Sequence, residues 1–300
     1  MDGRKRWVAL VVLCLGDLMI VLDSTVVNVA LPSIREDLGF SQTALVWVVN
    51  AFMLTYGGFL MLGGRLGDLF GKRRLFLGGI VAFTLASLAC GLAGSQAMLV
   101  AARAVQGIGG AVVSAVAMAL IMDLFTEPGE RAKAMGIFGF VMSGGGSIGV
   151  LLGGALTGAL NWHWIFLVNL PVGAAVLALG LALVPADRRV ARVPLDVAGA
   201  AAVTLAMMLA VYAVVDGNDA GWGSVQTLGL LGAAAVLLAV FVGIEARVTA
   251  PLMPLRLFAS RNVSVANAVG VLWAAAMFAW FFISALYMQY VLRWTPMQVG

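Results

Sequence analysis

The sequence has 300 residues, of which 62% are hydrophobic and only 11% are charged, and its mean hydropathy is +1.04. An ordinary soluble domain carries about 25% charged residues, so water could not solvate a globule this apolar. The composition therefore excludes a soluble enzyme, a nucleic-acid-binding protein and a disordered chain. It leaves an integral membrane protein that crosses the bilayer several times.

Nine apolar runs follow one another along the chain, and each is long enough to cross a bilayer as a helix. They cover residues 7–29, 44–64, 75–93, 97–122, 134–159, 165–184, 196–215, 226–244 and 263–287. The hydrophobic residues are continuous in each run rather than alternating, which indicates helices. We predict an all-α integral membrane protein with nine transmembrane helices.

The basic residues predict the orientation of these helices. With the N-terminus inside, fifteen of the eighteen lysines and arginines lie in inner segments, Arg35 and Arg293 lie in outer segments, and Arg103 lies within a span. Cytoplasmic loops carry such an excess of positive charge. We therefore predict a multi-pass protein of the cytoplasmic membrane with a cytoplasmic N-terminus. The same bias explains the net charge of +4 without a nucleic-acid partner.

The connections between the runs divide the chain into three predicted units. Residues 1–184 form a six-helix transmembrane bundle, residues 185–245 hold a basic inner loop and a linker pair of helices, and residues 246–300 hold an inner segment and the first helix of a second bundle. Because the helix count is odd and the last helix ends in an outer loop, we expect this second bundle to be incomplete in the chain.

Three ionisable residues lie inside predicted spans, where a charge is costly and therefore indicates function. Asp23 in the first span and Arg103 in the fourth are each six residues from the outer end, which places both about 9 Å deep. They form either a structural ion pair that docks two helices or a switch in which Asp23 takes up and releases a proton. Asp17 lies about 9 Å deeper and is rotated by roughly 120° from Asp23. Asp17 either has a functional role of its own or is only solvated locally, and both interpretations stay open.

The fifth span carries a glycine at every fourth residue, namely Gly145, Gly149 and Gly153, and Gly154 follows the last of them. Small residues at this spacing let membrane helices approach closely. We predict that these glycines form a helix-packing motif.

The connection between the second and third spans mixes charges with glycines in the sequence GRLGDLFGKRRLF (64–76). A cytoplasmic anchor explains its basic residues, but not the single acid or the glycine spacing. A salt-bridged latch that breaks and reforms during gating explains all of them. The residues assigned to this gating loop are Gly64, Arg65, Asp68, Gly71, Lys72 and Arg73.

Motifs for ATP hydrolysis and for metal binding are missing from the sequence. It has no GxxxxGK[ST] and no HExxH, and its single histidine, His163, lies in an outer loop. Cys14 and Cys90 both lie in apolar runs and have no metal-ligand spacing. We therefore expect no metal, no cofactor and no catalytic residues.

Several segments together resemble the major facilitator superfamily, and in particular its fourteen-span drug:proton antiporter branch of the EmrB/QacA type. These segments are LDSTVVNVALP (22–32), the gating loop (64–76), LVAARAVQGIGGA (99–111), WHWIFLVNLPVG (162–173), PLMPLRLF (251–258) and YMQYVLRWTPMQVG (287–300). The sequence departs from the branch at Val150, where the antiporter motif has proline, and at His163, where the branch has arginine.

The resemblance implies two six-helix bundles, each built from inverted three-helix repeats, that rock around a site at the midplane. About five further spans would then follow residue 300. It also implies proton-coupled efflux of small hydrophobic or cationic compounds, with Asp23 as the proton carrier and Arg103 as its modulator. The expected partners are a small-molecule substrate, protons and the lipid bilayer, and we expect a monomer.

Candidates for the substrate pocket are Asn50, Tyr56, Gln106, Trp273 and Trp280. The two tryptophans lie seven residues apart on one helix face, which favours packing against a neighbouring helix or lipid over contact with a substrate. Two alternatives to broad efflux stay open. One is a dedicated exporter of a single metabolite or antibiotic, and the other is a membrane sensor or scaffold that transports nothing.

Overall fold

A computed structural model describes residues 3–187, 196–249 and 251–293, and the regular elements in this part of the chain are helices. Ten α-helices and one short 3-10 helix, Leu255–Ala259, are present. The α-helices are α1 (Gly3–Leu38), α2 (Gln42–Phe70), α3 (Lys72–Gly91), α4 (Gln96–Leu124), α5 (Pro128–Ala159), α6 (Trp164–Leu167), α7 (Asn169–Leu183), α8 (Val197–Ala220), α9 (Val225–Glu245) and α10 (Arg261–Tyr290). Arg188, Arg189 and Arg192 of the predicted basic loop, and the segment 294–300, lie outside the described residues.

Eight segments within the described residues are long and apolar enough to cross a membrane, which confirms the all-α membrane fold. They are α1 to α5, α6 and α7 taken together, α8 and α9. The ninth predicted span, 263–287, falls within α10, which the count of eight does not include.

The sixth predicted span differs from the expectation because it is interrupted rather than continuous. The short helix α6 ends at Leu167, and α7 starts at Asn169. Pro171 has no backbone N–H group, so it cannot donate to the carbonyl of Leu167 and the helical hydrogen-bond ladder is interrupted there.

The first seven α-helices form a bundle with approximate internal twofold symmetry. Helix α1 packs against α5 and α7, α4 packs against α2 and α3, and the pairs α1–α4 and α3–α7 are also in contact. Exchanging α1 with α4, α2 with α5 and α3 with α7 leaves this pattern unchanged. Since α1 and α4 are the two most buried of the eight spans, they form the centre of the bundle.

Side-chain contacts define two ends of the bundle. We call the end that holds the start of α1 and the start of α5 the basic end. There, Arg6 of α1 forms a salt bridge with Glu130 of α5 at 3.0 Å. At the opposite end, the indole N–H of Trp162 donates to Asp37 at the end of α1, at 2.9 Å. A buried apolar cluster lies towards each end, one around Phe76 and Phe125 and the other around Ile34 and Phe166.

Helices α8 and α9 form a hairpin that packs against α2. The hydroxyl of Thr204 on α8 donates to the carbonyl of Gly58 on α2 at 3.0 Å, and both residues are buried. Trp47 of α2 and Tyr212 of α8 add an aromatic contact with ring centroids 5.4 Å apart. Helix α2 therefore lies between α4 on one side and the hairpin on the other.

Candidate functional site

The structure brings Asp23 of α1 and Arg103 of α4 together between the two apolar clusters. The Nη1 atom of Arg103 donates to Oδ2 of Asp23, and both residues are buried, with exposures of 2% for Asp23 and 0% for Arg103. The two charges were expected at the same depth in different helices, and they lie in direct contact.

Three neutral polar side chains complete a network around this ion pair. Gln106 donates from Nε2 to Asp23 Oδ1 at 2.8 Å and to Ser87 Oγ at 2.7 Å. Asn169 donates from Nδ2 to the same Asp23 oxygen at 2.9 Å. The carboxyl group thus accepts hydrogen bonds from residues of both α4 and α7.

The guanidinium of Arg103 is held in place by further contacts. Its Nε atom donates to the carbonyl of Val48 at 2.9 Å, and Nη1 also donates to Gln106 Oε1 at 2.6 Å. The group lies 4.4 Å from the ring centroid of Phe52 and 5.6 Å from that of Phe166, so cation–π attraction adds to these bonds. Among the described residues, Nη2 has no hydrogen-bond partner.

The helices reach these distances because glycines replace side chains where they cross. At Gly107 of α4, the backbone of α2 lies so close that an added Cβ would collide with the carbonyl of Phe52. Thr55 of α2 donates across this crossing to the carbonyl of Ala104 at 2.8 Å. The close crossing of α2 and α4 places Val48 and Phe52 against Arg103.

The predicted packing motif of α5 lies against α1. Gly145, Gly149 and Gly153 are buried, and an added Cβ at Gly153 would lie 2.9 Å from the carbonyl oxygen of Val26. The prediction that Gly154 belongs to this packing motif is wrong, because no described atom lies within 4 Å of a Cβ added there. Since successive residues differ by 100° around a helix, Gly154 lies on a different face.

Asp17 lies in a separate environment on α1. It is completely buried, and Ser114 of α4 donates to its Oδ1 atom. Its Oδ2 atom is also buried and has no hydrogen-bond partner among the described residues. Tyr56 of α2 lies nearby and stacks on Phe52, with ring centroids 5.8 Å apart. Asp17 and Asp23 therefore both bond to α4, but through different side chains.

The gating loop is almost entirely helical, which corrects the expectation of a connecting loop over 64–76. Residues 64–70 continue α2, and the chain turns at Gly71, which has φ of 101°. Lys72 forms a salt bridge with Asp123 at the end of α4 at 2.8 Å and lies 3.6 Å from Asp68. The principal partner of Lys72 is thus an acid distant in the sequence.

The remaining residues of this segment are held by the chain after α7. Asp187 accepts from the backbone N–H groups of Arg73 at 2.8 Å and Arg74 at 3.2 Å, so it caps the N-terminus of α3. Arg73 also donates from Nη2 to the carbonyl of Leu181. The Nε atom of Arg65 is buried without a partner among the described residues. A Cβ atom added at Gly64 would lie 3.8 Å from Cβ of Ala115, an ordinary contact distance.

The pocket candidates do not form one group. Gln106 is completely buried in the Asp23 network, so in this conformation it is a network residue rather than a pocket residue. Asn50 and Tyr56 are half-buried on α2. Trp273 and Trp280 are exposed on α10, at 66% and 72%. Neither the cavity beside Asp23 nor a second one along α10 has any of the five in its lining.

Sequence reasoning missed four residues of the site, namely Asn169, Ser87, Asp123 and Asp187. A signal existed for Asn169, because a carboxamide within an apolar span marks a polar contact in the membrane interior. The hydrogen-bond partners of Ser87, Asp123 and Asp187 are distant in the sequence. The spacing of neighbouring residues therefore does not indicate these contacts.

The chain is a polytopic helical bundle of two similar three-helix repeats with an ion pair buried between them. The comparisons specify the family. The family model described as Major Facilitator Superfamily matches residues 13–300, and the chain belongs to this family.

Two curated relatives and one solved structure are similar over nearly the whole chain. The puromycin resistance protein pur8 of Streptomyces alboniger is 43% identical over 99% of this chain and 59% of its own length. The cephamycin export protein CmcT of Amycolatopsis lactamdurans is 42% identical over 97% of this chain and 61% of its own. The chain thus spans about three fifths of these relatives. The human organic anion transporter MFSD10 has the same fold, with a TM-score of 0.64 at 18% identity over 99% of this chain and 68% of its own.

Proposed function

We propose that this chain contributes to proton-coupled export of small hydrophobic or cationic compounds across the cell membrane. The buried Asp23–Arg103 ion pair carries this proposal. A carboxylate inside a membrane bundle costs free energy, so its presence indicates a function. Here it lies where α1 and α4, the first helices of the two repeats, meet. The names of the two relatives, which describe resistance to one antibiotic and export of another, support export.

Protonation of Asp23 is the proposed switch. In the ionised state the carboxylate accepts hydrogen bonds from Arg103, Gln106 and Asn169, and these bonds hold α1 against α4 and α7. A neutral carboxyl loses the charge attraction to Arg103, which weakens the contact between the two central helices. Proton binding would therefore change the equilibrium between two arrangements of the bundle.

Two further groups have proposed roles in the cycle. Lys72 with Asp123 and Asp68, together with the Asp187 cap on α3, forms a gate at the basic end that must open when the helices separate. Asp17, which has a hydroxyl partner and no cationic one among the described residues, is a second candidate for proton binding. Its separation from the Asp23 network allows the two acids to act independently.

The remaining assignments are part of the same proposal. The N-terminus is cytoplasmic, since the basic end carries most of the positive charge. The protein acts as a monomeric transporter rather than an enzyme, without metal, cofactor or nucleic acid. Residues 1–184 act as the first bundle, 185–245 as the linker pair, and 246–300 as the start of the second bundle.

Transport in reconstituted vesicles tests the proton role of Asp23. Uptake of radiolabelled puromycin into vesicles that are acidic inside should be lost in Asp23→Asn, because the side chain can no longer release a proton. The control is Asp219→Asn, the same change at an exposed acid of α8, which should transport normally. Normal gradient-driven transport by Asp23→Asn would refute the proposal.

A dedicated exporter of one antibiotic is the second candidate, and the single compound in the name of each relative favours it. Competition separates the two functions. A broad exporter carrying puromycin is inhibited by unrelated hydrophobic cations such as ethidium, whereas a dedicated exporter is inhibited only by close analogues. A sensor or scaffold would produce no gradient-driven uptake of any of these compounds.

A further inference from the structure

A small cavity lies next to Asp23, and Arg103 is not among its lining residues. Its volume is about 40 Å³, and its lining consists of residues from α1, α5, α6 and α7. Asp23 and Asn169 are its polar lining residues, and the others are apolar: Met19, Leu22, Val26, Leu152, Ile165, Val168 and Val172. The buried acid of the network thus adjoins an open space.

The helix packing explains why this space exists. Helices α5 and α7 both pack against α1 but make little contact with each other, whereas their symmetry counterparts α2 and α3 are in contact. The cavity lies in the seam that this asymmetry leaves between α1, α5 and α7. Its lining includes Ile165 of α6, so the seam leads from Asp23 towards the opposite end of the bundle.

The cavity has the size and the polar groups that a water molecule needs. A site of about 10–15 Å³ holds one water if two or more polar groups can bind it. The Asp23 carboxylate is one such group. The hydrogen bonds that Asn169 makes with other described residues use only its amide nitrogen, which leaves its carboxamide oxygen as the second.

The approach to Asp23 from Arg103 is closed to a proton, since both residues of the ion pair are buried. Arg103 fills it, with its guanidinium between the rings of Phe52 and Phe166. The guanidinium also repels a hydronium ion, most strongly where water is excluded. The other titratable side chain of the network is Cys90 of α3, which donates to Gln106 Oε1 at 3.6 Å. Helices α5, α6 and α7 contain no acidic or basic residue on the part that lines the cavity.

We propose that the cavity beside Asp23 binds a water molecule that delivers the coupled proton, and that protons reach Asp23 through the seam between α1, α5 and α7. A hydronium ion in the cavity transfers one proton to a carboxylate oxygen of Asp23 and remains as water. Release reverses this transfer. This inference rests on the proposed proton-coupled export.

Filling the cavity tests the route. Val172→Leu adds one methylene to the lining, and Val172→Ala enlarges the space. The matched control is Val236→Leu, the same change at an exposed position of α9. Each variant is reconstituted in vesicles and assayed in two ways, by puromycin uptake driven by a pH gradient and by exchange of puromycin across the membrane without a gradient.

We expect Val172→Leu to slow gradient-driven uptake several-fold while exchange stays at the wild-type rate, because exchange requires no net proton transfer. Val236→Leu should retain both activities, and Val172→Ala, which enlarges the space, should not slow gradient-driven uptake more than it slows exchange. Equal loss of both activities in Val172→Leu would indicate damaged packing and overturn the inference, as would unchanged gradient-driven uptake. If the wild-type protein exchanges puromycin but moves no protons with it, the proposed coupling itself fails, and that result is distinct from either outcome for the variant.

Discussion

Replacing Arg103 with methionine should destabilise the bundle by about 3–5 kcal/mol, the cost of breaking a buried ion pair by removing one partner. Arg103 is completely buried, so water cannot replace its contacts. Methionine has an unbranched side chain that occupies part of the same space. It removes the guanidinium that donates to Asp23, the carbonyl of Val48 and Gln106 Oε1. The change corresponds to roughly two to three and a half orders of magnitude in the unfolding equilibrium constant.

The measurement is the free energy of unfolding of purified protein in detergent, followed by tryptophan fluorescence as the denaturing detergent SDS is added. The double variant Asp23→Asn/Arg103→Met should lose less stability than Arg103→Met alone, because it leaves no uncompensated charge. A loss below about 1 kcal/mol for Arg103→Met, the value typical of an exposed ion pair, would refute the reasoning. A double variant less stable than Arg103→Met would also refute it.

Three further predictions concern the packing of the bundle. Gly107→Val should prevent stable folding, since its side chain would collide with the α2 backbone, whereas Gly154→Ala should leave the melting temperature in detergent unchanged or slightly raised. Asp187→Ala should destabilise by about 0.5–2 kcal/mol through loss of the α3 cap, and faster amide hydrogen exchange at Arg73 would report it. Thr204→Val should cost about 0.6 kcal/mol, the mean for one hydrogen bond between membrane helices, with increased proteolysis of the hairpin as the measurement.

Each of these predictions has a contradicting result. Stable Gly107→Val protein would mean that α2 and α4 do not cross at this glycine. Unchanged exchange in Asp187→Ala would mean that other groups cap α3. A loss of several kcal/mol in Thr204→Val would show that the hydroxyl does more than donate one bond to α2.

The spans and the central ion pair were predictable because their physical signals are local and strong. A long apolar run has few other interpretations, and a charge within it stands out. Counting residues from the helix ends was enough to place Asp23 and Arg103 at one depth, since the helix rise is fixed. The packing face of α5 followed in the same way from the spacing of its glycines.

The partners of the ion pair were less predictable, because neutral polar residues cost little in a span and carry a weak signal. Ser87 looks like any small residue of a membrane helix until the structure places it beside Gln106. The partners of the gating-loop residues were unpredictable for a different reason. The strongest contacts of this loop come from Asp123 and Asp187, which are 51 and 114 residues from their partners, and a sequence pattern records only neighbours along the chain.

Helix α1 can act as a lever. It is a single helix of 36 residues, about 54 Å long, tied to Glu130 at one end and to Trp162 at the other, with Asp23 between the two ties. A tilt of about 5° around its middle would displace each end by about 2 Å, in opposite directions. The proposed protonation of Asp23 would thus loosen the contacts at one end of the bundle and tighten those at the other.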